Sequence, residues 1–427
     1  MAGNDKRKDK ASTWSGGDKP PLVRIWRYRN YAWFEGGWLP NSITSWMQRV
    51  GVTWLAWELS HSNAWVGAVA AADLAPMLIL APIAGAMIDR SENPIGHLKL
   101  ALLLLLLQAV ALAGLAVAGL LTIEGLFVLS LVTGFLNPYT SAARQIVLAN
   151  CVPRSEYPTA IALDSALYQG SRFVGPAIAA MMIGVWGVTS TFVAHVFGSI
   201  ALLVAVYFIA FPAPERRNRL STSLAIDIID SIGYARRHGA IWPLFILLAV
   251  SSVLLRPIQD LLPGFASRVF EAGPQGLGWL ASAMGVGAMI SATTIAMRAR
   301  LQGLTTWAIV GTLILVAGTI GFTATANLSV GLLFAALTAF GLNTLSTSTQ
   351  TITQSVVSDG MRGRVMSLYA MIFRGLPAIG ALVLGLIADA VGLRLTFALA
   401  AVVTCAVWAS VALRRRQIAD ALRDPGG

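Results

Sequence analysis

The chain has 427 residues, of which 56% are hydrophobic and only 12% are charged. Soluble domains carry about 25% charged residues, so this composition excludes a soluble globular protein and predicts an all-α polytopic membrane protein. The formal net charge of +11 does not require a nucleic-acid partner, because basic segments beside membrane spans face the anionic inner leaflet of the bilayer.

The chain starts with a polar, basic segment that has no apolar core, so no signal peptide is expected and a disordered cytosolic tail is predicted. Apolar runs of about 20 residues predict about twelve membrane helices. They lie near 31–56, 64–88, 97–120, 125–150, 158–185, 188–211, 240–267, 276–298, 304–325, 328–356, 364–391 and 395–413. The predicted division is a tail over 1–21, a six-helix bundle over 22–211, a cytosolic linker with an amphipathic helix over 212–239, a second six-helix bundle over 240–413 and a cytosolic tail over 414–427.

The distribution of basic residues predicts the orientation of these spans. Most of the 31 lysines and arginines fall on the side of the two termini, whereas Arg268 and Arg394 fall on the opposite side. By the positive-inside rule, both termini are expected in the cytosol.

No cofactor or metal is predicted. Cys151 and Cys405 lie on different segments and give no metal-ligand spacing. The sequence also lacks a Gly-Lys pair and therefore a phosphate-binding loop of the G-x-x-x-x-G-K type.

The first span contains aromatic and charged residues that suit a ligand cavity. Trp46 and Gln48 are candidates for stacking on and hydrogen bonding to an amphipathic ligand, and Arg49 for binding an anion. Glu35 is a candidate for proton coupling, although its position near the cytosolic entrance makes a solvated role the simpler interpretation.

Asp73 lies nine residues into the second span, which places it roughly 14 Å deep at about 1.5 Å per residue. An acid near the midplane could exchange a proton when access alternates, so Asp73 is the first candidate proton carrier. The alternative is a fixed partner for Arg49.

The loop after the second span reads APIAGAMIDR from Ala81 and ends with Gly85, Asp89 and Arg90. At a helix end, Asp89 could accept hydrogen bonds from a neighbouring helix N-terminus or a loop arginine in one conformation and lose them in another. These residues are the predicted conformational gate, although an Asp-Arg pair at a helix end is also common in static structures.

Two stretches about 200 residues apart indicate a doubled unit. Ser165 and Arg172 in SALYQGSRFVGP have the same seven-residue spacing as Ser367 and Arg374 in SLYAMIFRGLP. Parallel repeats are typical of transporters, and an arginine inside an apolar span is costly enough to suggest function. Arg172 and Arg374 are therefore cavity candidates.

Other polar residues in the spans extend these candidates. Asp164, eight residues before Arg172 and on the same helical face, is a proton-coupling candidate that could be a gate or a packing pair. Arg256 and Asp260 are four residues apart on one predicted helix, where a structural pair is the favoured interpretation. Further cavity candidates, which could equally bond neighbouring helices, are Asn137, Tyr139 and Asn343.

Several of these motifs together resemble a known family. APIAGAMIDR, ending at Arg90, resembles the G-x-x-x-D-R signature of the major facilitator superfamily, between spans 2 and 3 as in that family. SWMQRVGVTWLAWELSHSNAWVGA from Ser45, VPRSEYPTAIALDSALYQGSRFVGP from Val152 and LLPGFASRVF from Leu261 are similar to the branch that contains the enterobactin exporter and related secretion or efflux permeases. The chain departs from the signature in SENPIGHLK, which lacks the usual basic run, and in MRARLQGL after span 8, which lacks the acid.

The resemblance implies a twelve-helix transporter of the bacterial inner membrane, with two bundles that rock about a central site. It implies secondary active export of a small amphipathic or anionic molecule, such as a siderophore or drug, in exchange for protons. It also implies that the protein is a monomer and is not an enzyme. The alternatives are transport of a lysophospholipid or other membrane lipid and, in another class, a membrane sensor without flux.

Overall fold

The computed structural model describes residues 21–91, 93–153, 155–209, 224–298 and 303–414. Regular structure within these ranges is entirely helical. The α-helices are α1 (Pro21–Arg24), α2 (Arg29–Ser60), α3 (Asn63–Arg90), α4 (Pro94–Val117), α5 (Ile123–Asn150), α6 (Tyr157–Trp186), α7 (Thr189–Tyr207), α8 (Leu224–Arg237), α9 (Ile241–Leu254), α10 (Leu262–Gly264), α11 (Gly273–Arg298), α12 (Leu304–Ala324), α13 (Leu328–Val356), α14 (Asp359–Ala370), α15 (Leu376–Val391) and α16 (Leu393–Leu413). The two predicted terminal tails lie outside the described residues, apart from one residue at the inner edge of each.

Ten of the described helical stretches are long and apolar enough to cross a membrane by length and composition. The helices α2 and α6, with 32 and 30 residues, are also long enough. They carry several charged residues of the predicted site, namely Glu35, Arg49, Asp164 and Arg172. With them, the fold is the predicted all-α arrangement of twelve spans in two six-helix bundles, and the span boundaries agree within a few residues except in the seventh.

The prediction of one continuous seventh helix over 240–267 is wrong. Helix α9 ends at Leu254, and a 3₁₀ turn (Arg256–Gln259), the short α10 and a π-helical turn (Phe265–Val269) follow. Pro257 lies in the 3₁₀ turn and has no amide hydrogen to donate, which explains the loss of regular helix there. The irregular stretch places polar side chains at the centre of the molecule.

The two repeated segments also differ in their backbone. Arg172 lies in the continuous helix α6, whereas Arg374 lies in a π-helical turn (Met371–Gly375) that joins α14 to α15. A π turn accommodates one more residue than an α turn and occurs frequently at functional sites. The second repeat therefore presents its arginine from an irregular turn.

The two halves, α2–α7 and α9–α16, meet along two pairs of helices, α3 with α15 and α6 with α11. A Cβ atom on Gly67 would lie 2.1 Å from the Ala381 carbonyl oxygen, and one on Gly278 would lie 2.2 Å from Ala180 Cβ. These distances exclude any side chain without movement of the helices. Small residues thus allow the halves to approach closely, as in many membrane helix pairs.

The two ends of the molecule differ in how the halves meet. At the end that contains the α2–α3 turn, one apolar cluster includes Trp57 of the first half and Phe265 and Leu384 of the second. At the end that contains the described chain termini, the buried apolar residues form separate clusters, around Phe34 in the first half and Leu244 in the second. We call these the sealed end and the terminal end.

A carboxylate adds polar contacts across the sealed end. Asp389 near the end of α15 accepts hydrogen bonds from the Ser62 hydroxyl at 2.5 Å, the Asn63 backbone amide at 2.7 Å and the Ala64 backbone amide at 3.0 Å. These groups form the N-terminus of α3, where backbone amides lack helical partners and favour a negative charge. The contact therefore holds the first half against the second.

The linker contains the helix α8, in the region where the sequence predicts an amphipathic helix. It packs against α14 at the terminal end, and Arg364 Nη1 lies 3.4 Å from Asp230 Oδ2. The preceding linker residues 212–223 lie outside the described residues. Contact of α8 with the membrane surface remains a prediction.

Candidate functional site

A guanidinium on α2 joins two carboxylates from different halves of the molecule. Arg49 Nη1 lies 3.4 Å from Asp73 Oδ2 on α3, and Arg49 Nη2 lies 2.8 Å from Asp260 Oδ1. Asp260 follows the 3₁₀ turn of the seventh span, so this second contact crosses between the halves. The Asn137 amide also donates a hydrogen bond of 3.4 Å to Asp73. We name Arg49, Asp73 and Asp260 the central triad.

Three further arginines lie around the centre and form no ion pair with an acid of the described residues. Within the described ranges, Arg172, Arg256 and Arg374 form no ion pair. Arg256 lies within electrostatic range of the other two, of Arg49 and of Asp260. Its buried Nη1 makes no hydrogen bond to any residue that the structure describes. The centre therefore contains more guanidinium than carboxylate and attracts anions.

Aromatic rings lie against these guanidiniums. The Trp46 ring centroid is 5.7 Å from Arg49 Cζ and 5.2 Å from Arg172 Cζ, and the Phe373 centroid is 4.5 Å from Arg256 Cζ. A ring face attracts a cation without neutralising its charge. The ring contacts hold the arginines in place and leave the charges of Arg172 and Arg256 unneutralised.

A second charged cluster lies in the first half, toward the terminal end. Arg144 on α5 forms an ion pair with Asp164 on α6, and its Cζ is 3.7 Å from the Trp38 ring centroid. Glu35 on α2 has an exposed fraction of 0%, and its carboxylate oxygens have no hydrogen-bond partner among the described residues. We name Arg144, Asp164 and Glu35 the first-half cluster.

The interpretation of Glu35 as a solvated residue at the entrance is wrong. The chain before α2 also folds against the terminal end, where Ile25 and Tyr31 are fully buried in the same apolar cluster as Phe34. Glu35 is therefore enclosed although it lies only six residues into its helix. The Arg144 guanidinium acts electrostatically on it.

The expected association of Asp164 with Arg172 is also absent. Eight residues along an α-helix correspond to about 12 Å, which is too far for an ion pair. The Asp164 carboxylate instead accepts a hydrogen bond from Arg144 on the neighbouring helix α5. The two residues belong to different clusters.

The predicted Arg256–Asp260 pair does not form. Since regular helix ends at Leu254, the four-residue spacing no longer brings the two side chains onto one face. Asp260 pairs with Arg49 of the other half. The break in the seventh span thus converts an expected local contact into a contact between halves.

The other predicted cavity residues have different environments. Gln48 has an exposed fraction of 9%, and its Oε1 has no partner in the described part of the chain. Tyr139 is half-buried on α5, two residues beyond Asn137. Asn343 donates hydrogen bonds of 3.1 Å to the Ala288 carbonyl and 3.3 Å to Ser291 Oγ on α11. Asn343 therefore joins two helices of the second half and does not contact the triad.

The predicted gate lies at the end of α3. The helix continues to Arg90, but the side chains of Gly85, Asp89 and Arg90 lie outside the described part of the structure. Among the residues whose side chains are described, no group of three or more histidine, cysteine, aspartate or glutamate residues could hold a metal ion.

The sequence profile of the transmembrane secretion effector family matches residues 30–423. The chain belongs to this family. The predicted resemblance to the major facilitator superfamily is thereby confirmed, and the chain is a multi-pass membrane transporter and not an enzyme.

Two relatives of this secretion effector are bacterial transporters. The staphyloferrin A transporter of Staphylococcus aureus is 22% identical over 370 residues, which cover 85% of this chain and 90% of the relative. The multidrug efflux pump Tap of Mycolicibacterium fortuitum is 24% identical over 364 residues, which cover 82% and 86%.

Solved structures share the fold of this secretion effector. A POT family transporter in complex with 5-aminolevulinic acid has a TM-score of 0.74 at 12% identity and covers 95% of this chain and 98% of its own. An inward-facing, unoccupied bacterial homologue of the human lysosomal transporter Spinster has a TM-score of 0.68 at 13% identity, with coverages of 95% and 99%. At these identities the likeness concerns the fold alone.

Sequence reasoning missed two tyrosines of the secretion effector site that a comparison of the repeats could have found. Tyr168 precedes Arg172 by four residues in an α-helix, and Tyr369 precedes Arg374 by five residues across a π turn. Both spacings correspond to one turn of the respective helix. Trp38 packs against Arg144, but the sequence did not distinguish it from the other aromatic residues of α2.

Proposed function

We propose that this transporter exports a small anionic or amphipathic molecule from the cytosol by alternating access, in exchange for protons, as a monomer with both termini in the cytosol. The observation that carries the proposal is the bond from Arg49 to Asp260, which joins the two halves beside a surplus of guanidinium groups. With the termini in the cytosol, the sealed end faces outward and the central triad opens toward the cytosol.

The central triad supplies a physical basis for exchange. While Asp73 and Asp260 are ionised, both hold Arg49, and the Asp260 contact ties the halves together. Protons neutralise the carboxylates and weaken this tie, whereas an anionic substrate competes with them for Arg49. Binding of either protons or substrate alone therefore releases the halves. The transporter with ionised carboxylates and no substrate keeps its conformation. A carrier that moves with either ligand but not without one exchanges them.

The first-half cluster supplies a second proton site. Glu35 is enclosed and makes no hydrogen bond to a described residue, and an ionised carboxylate is costly in such a place. Arg144 pairs with Asp164 and also acts electrostatically on Glu35, so its guanidinium can stabilise whichever carboxylate is ionised. Gly85, Asp89 and Arg90 are proposed to set the balance between the inward-open and outward-open conformations.

The names of the two relatives support a substrate like a siderophore or a drug. Flux in proteoliposomes tests the proposal: siderophores, drugs, peptides and lysolipids are added under a pH gradient while lumenal pH is followed. Substrate-dependent proton movement is expected for the wild type and for Asp230→Asn, a control at the surface pair with Arg364, and is expected to be lost in Asp73→Asn. Substrate movement without proton movement in the wild type would refute exchange.

A further inference from the structure

Arg172 and Arg374 occupy related positions in the two repeats, and neither forms an ion pair within the described ranges. The contrast with Arg49 and Arg144 is clear, since each of those binds at least one carboxylate. Arg172 is half-buried, and a guanidinium without an acid inside a membrane protein is costly, so its presence there points to a role. Because the two arginines lie in different halves, one ligand can engage both.

The surroundings of these two arginines position them without neutralising them. Trp46 lies against Arg172, and a tyrosine lies one turn before each arginine. Arg256 lies within electrostatic range of both, with a buried Nη1 that bonds to no described residue. The guanidinium edges therefore offer planar forks that fit carboxylates in a bidentate manner.

We propose that the site binds a molecule with two separate carboxylate groups, one held by Arg172 in the first half and the other by Arg374 in the second. The apolar part of the molecule lies against Trp46, whose ring borders Arg172, and against Phe373, which precedes Arg374 in the chain and whose ring borders Arg256. The inference rests on the proposed function and narrows its substrate class.

Two matched pairs of small acids test the inference by titration calorimetry on the full chain in nanodiscs. Phenylsuccinate is compared with 3-phenylbutyrate, and 3-phenyladipate with 4-phenylhexanoate; each pair replaces one carboxylate by a methyl group. Loss of one charged hydrogen-bonded group predicts that, in at least one pair, the dicarboxylate binds about tenfold tighter or more. Equal binding within both pairs, or no dicarboxylate binding at millimolar concentration, overturns the inference.

Substitutions assign the two carboxylates to the two arginines. Arg172→Gln and Arg374→Gln are each expected to remove the preference for the dicarboxylate, and Arg172→Lys to keep part of it because the charge remains. Neither Gln variant leaves a carboxylate unpaired, so both are expected to fold. The control is Arg394→Gln, which removes an arginine bonded to the Thr325 carbonyl near the sealed end. A preference that survives in both Gln variants contradicts the assignment.

The test separates this inference from the proposed function. Selective dicarboxylate binding without flux in proteoliposomes would support the site and refute export. Flux of a neutral or cationic drug that is unchanged in Arg172→Gln and Arg374→Gln, together with equal binding within both acid pairs, would support transport and overturn the dicarboxylate site.

Discussion

The central triad and the first-half cluster use the same chemistry for different purposes. Each places one guanidinium among two carboxylates. Arg49 and Asp73 have side-chain exposures of 34% and 25%, whereas Arg144 and Asp164 have 15% and 12%. The triad crosses between the halves, so motion of the halves must break it. The first-half cluster lies within one half and can persist through that motion, which suits it to hold structure and store a proton.

The largest expected effect is a loss of folding stability caused by Arg144→Gln. The substitution leaves Asp164 and Glu35 without their common cation in a buried site, which costs about 3 to 5 kcal/mol. The free energy of unfolding in mixed micelles measures it. The matched control is Arg172→Gln, which removes an arginine without an ion-pair partner in the described chain and is expected to cost less than about 1 kcal/mol. Equal losses for both variants would contradict the contrast.

The second-largest expected effect is a change in conformation caused by Asp260→Asn. Loss of the charged hydrogen bond between the halves, worth about 1.5 to 3 kcal/mol, shifts the balance toward opening of the sealed end by about 10- to 100-fold. Electron-spin distance measurements between labels at Leu120→Cys and Ala326→Cys, near the sealed end of each half, report the opening. Cys151 and Cys405 are replaced beforehand. The surface variant Asp230→Asn is expected to match the parent, and an unchanged distribution in Asp260→Asn would argue against a tie between the halves.

Gly67→Ala separates helix packing from the triad. The added Cβ would meet the Ala381 carbonyl, and such overpacking costs about 1 to 3 kcal/mol. We expect the same spin-label pair to report opening, with the triad intact. Gly36→Ala is the control because its Cβ would have no neighbour within 4 Å. If Gly67→Ala left the sealed end closed, the close approach of α3 and α15 would not contribute to sealing.

The smallest effect on stability is expected from Glu35→Gln. The change conserves volume and removes no hydrogen bond to a described residue, so the free energy of unfolding should change by less than about 1 kcal/mol. Proton movement coupled to substrate should nevertheless fall, since Gln cannot take up a proton. Normal coupling in Glu35→Gln would remove the first-half cluster from the proton path and leave the triad alone.

The sequence predicted the spans well because long apolar runs are a local signal. The contact between Arg49 and Asp260 was harder to predict, because the two residues lie 211 positions apart in the chain. The helical spacing of Arg256 and Asp260 suggested a local pair until the break after Leu254 removed that geometry. The burial of Glu35 depends on how the segment before α2 folds, which hydropathy does not report.

The most direct test is the response of the sealed end to pH. The Leu120/Ala326 label pair is measured in nanodiscs at mildly alkaline and mildly acidic pH, in the parent and in Asp260→Asn. If protons act on the sealed end through the Arg49–Asp260 contact, Asp260→Asn shows an open distribution at both pH values, and any response of the parent to pH is lost in the variant. An equal pH response in both proteins would contradict the claim that this bond links proton binding to motion of the halves.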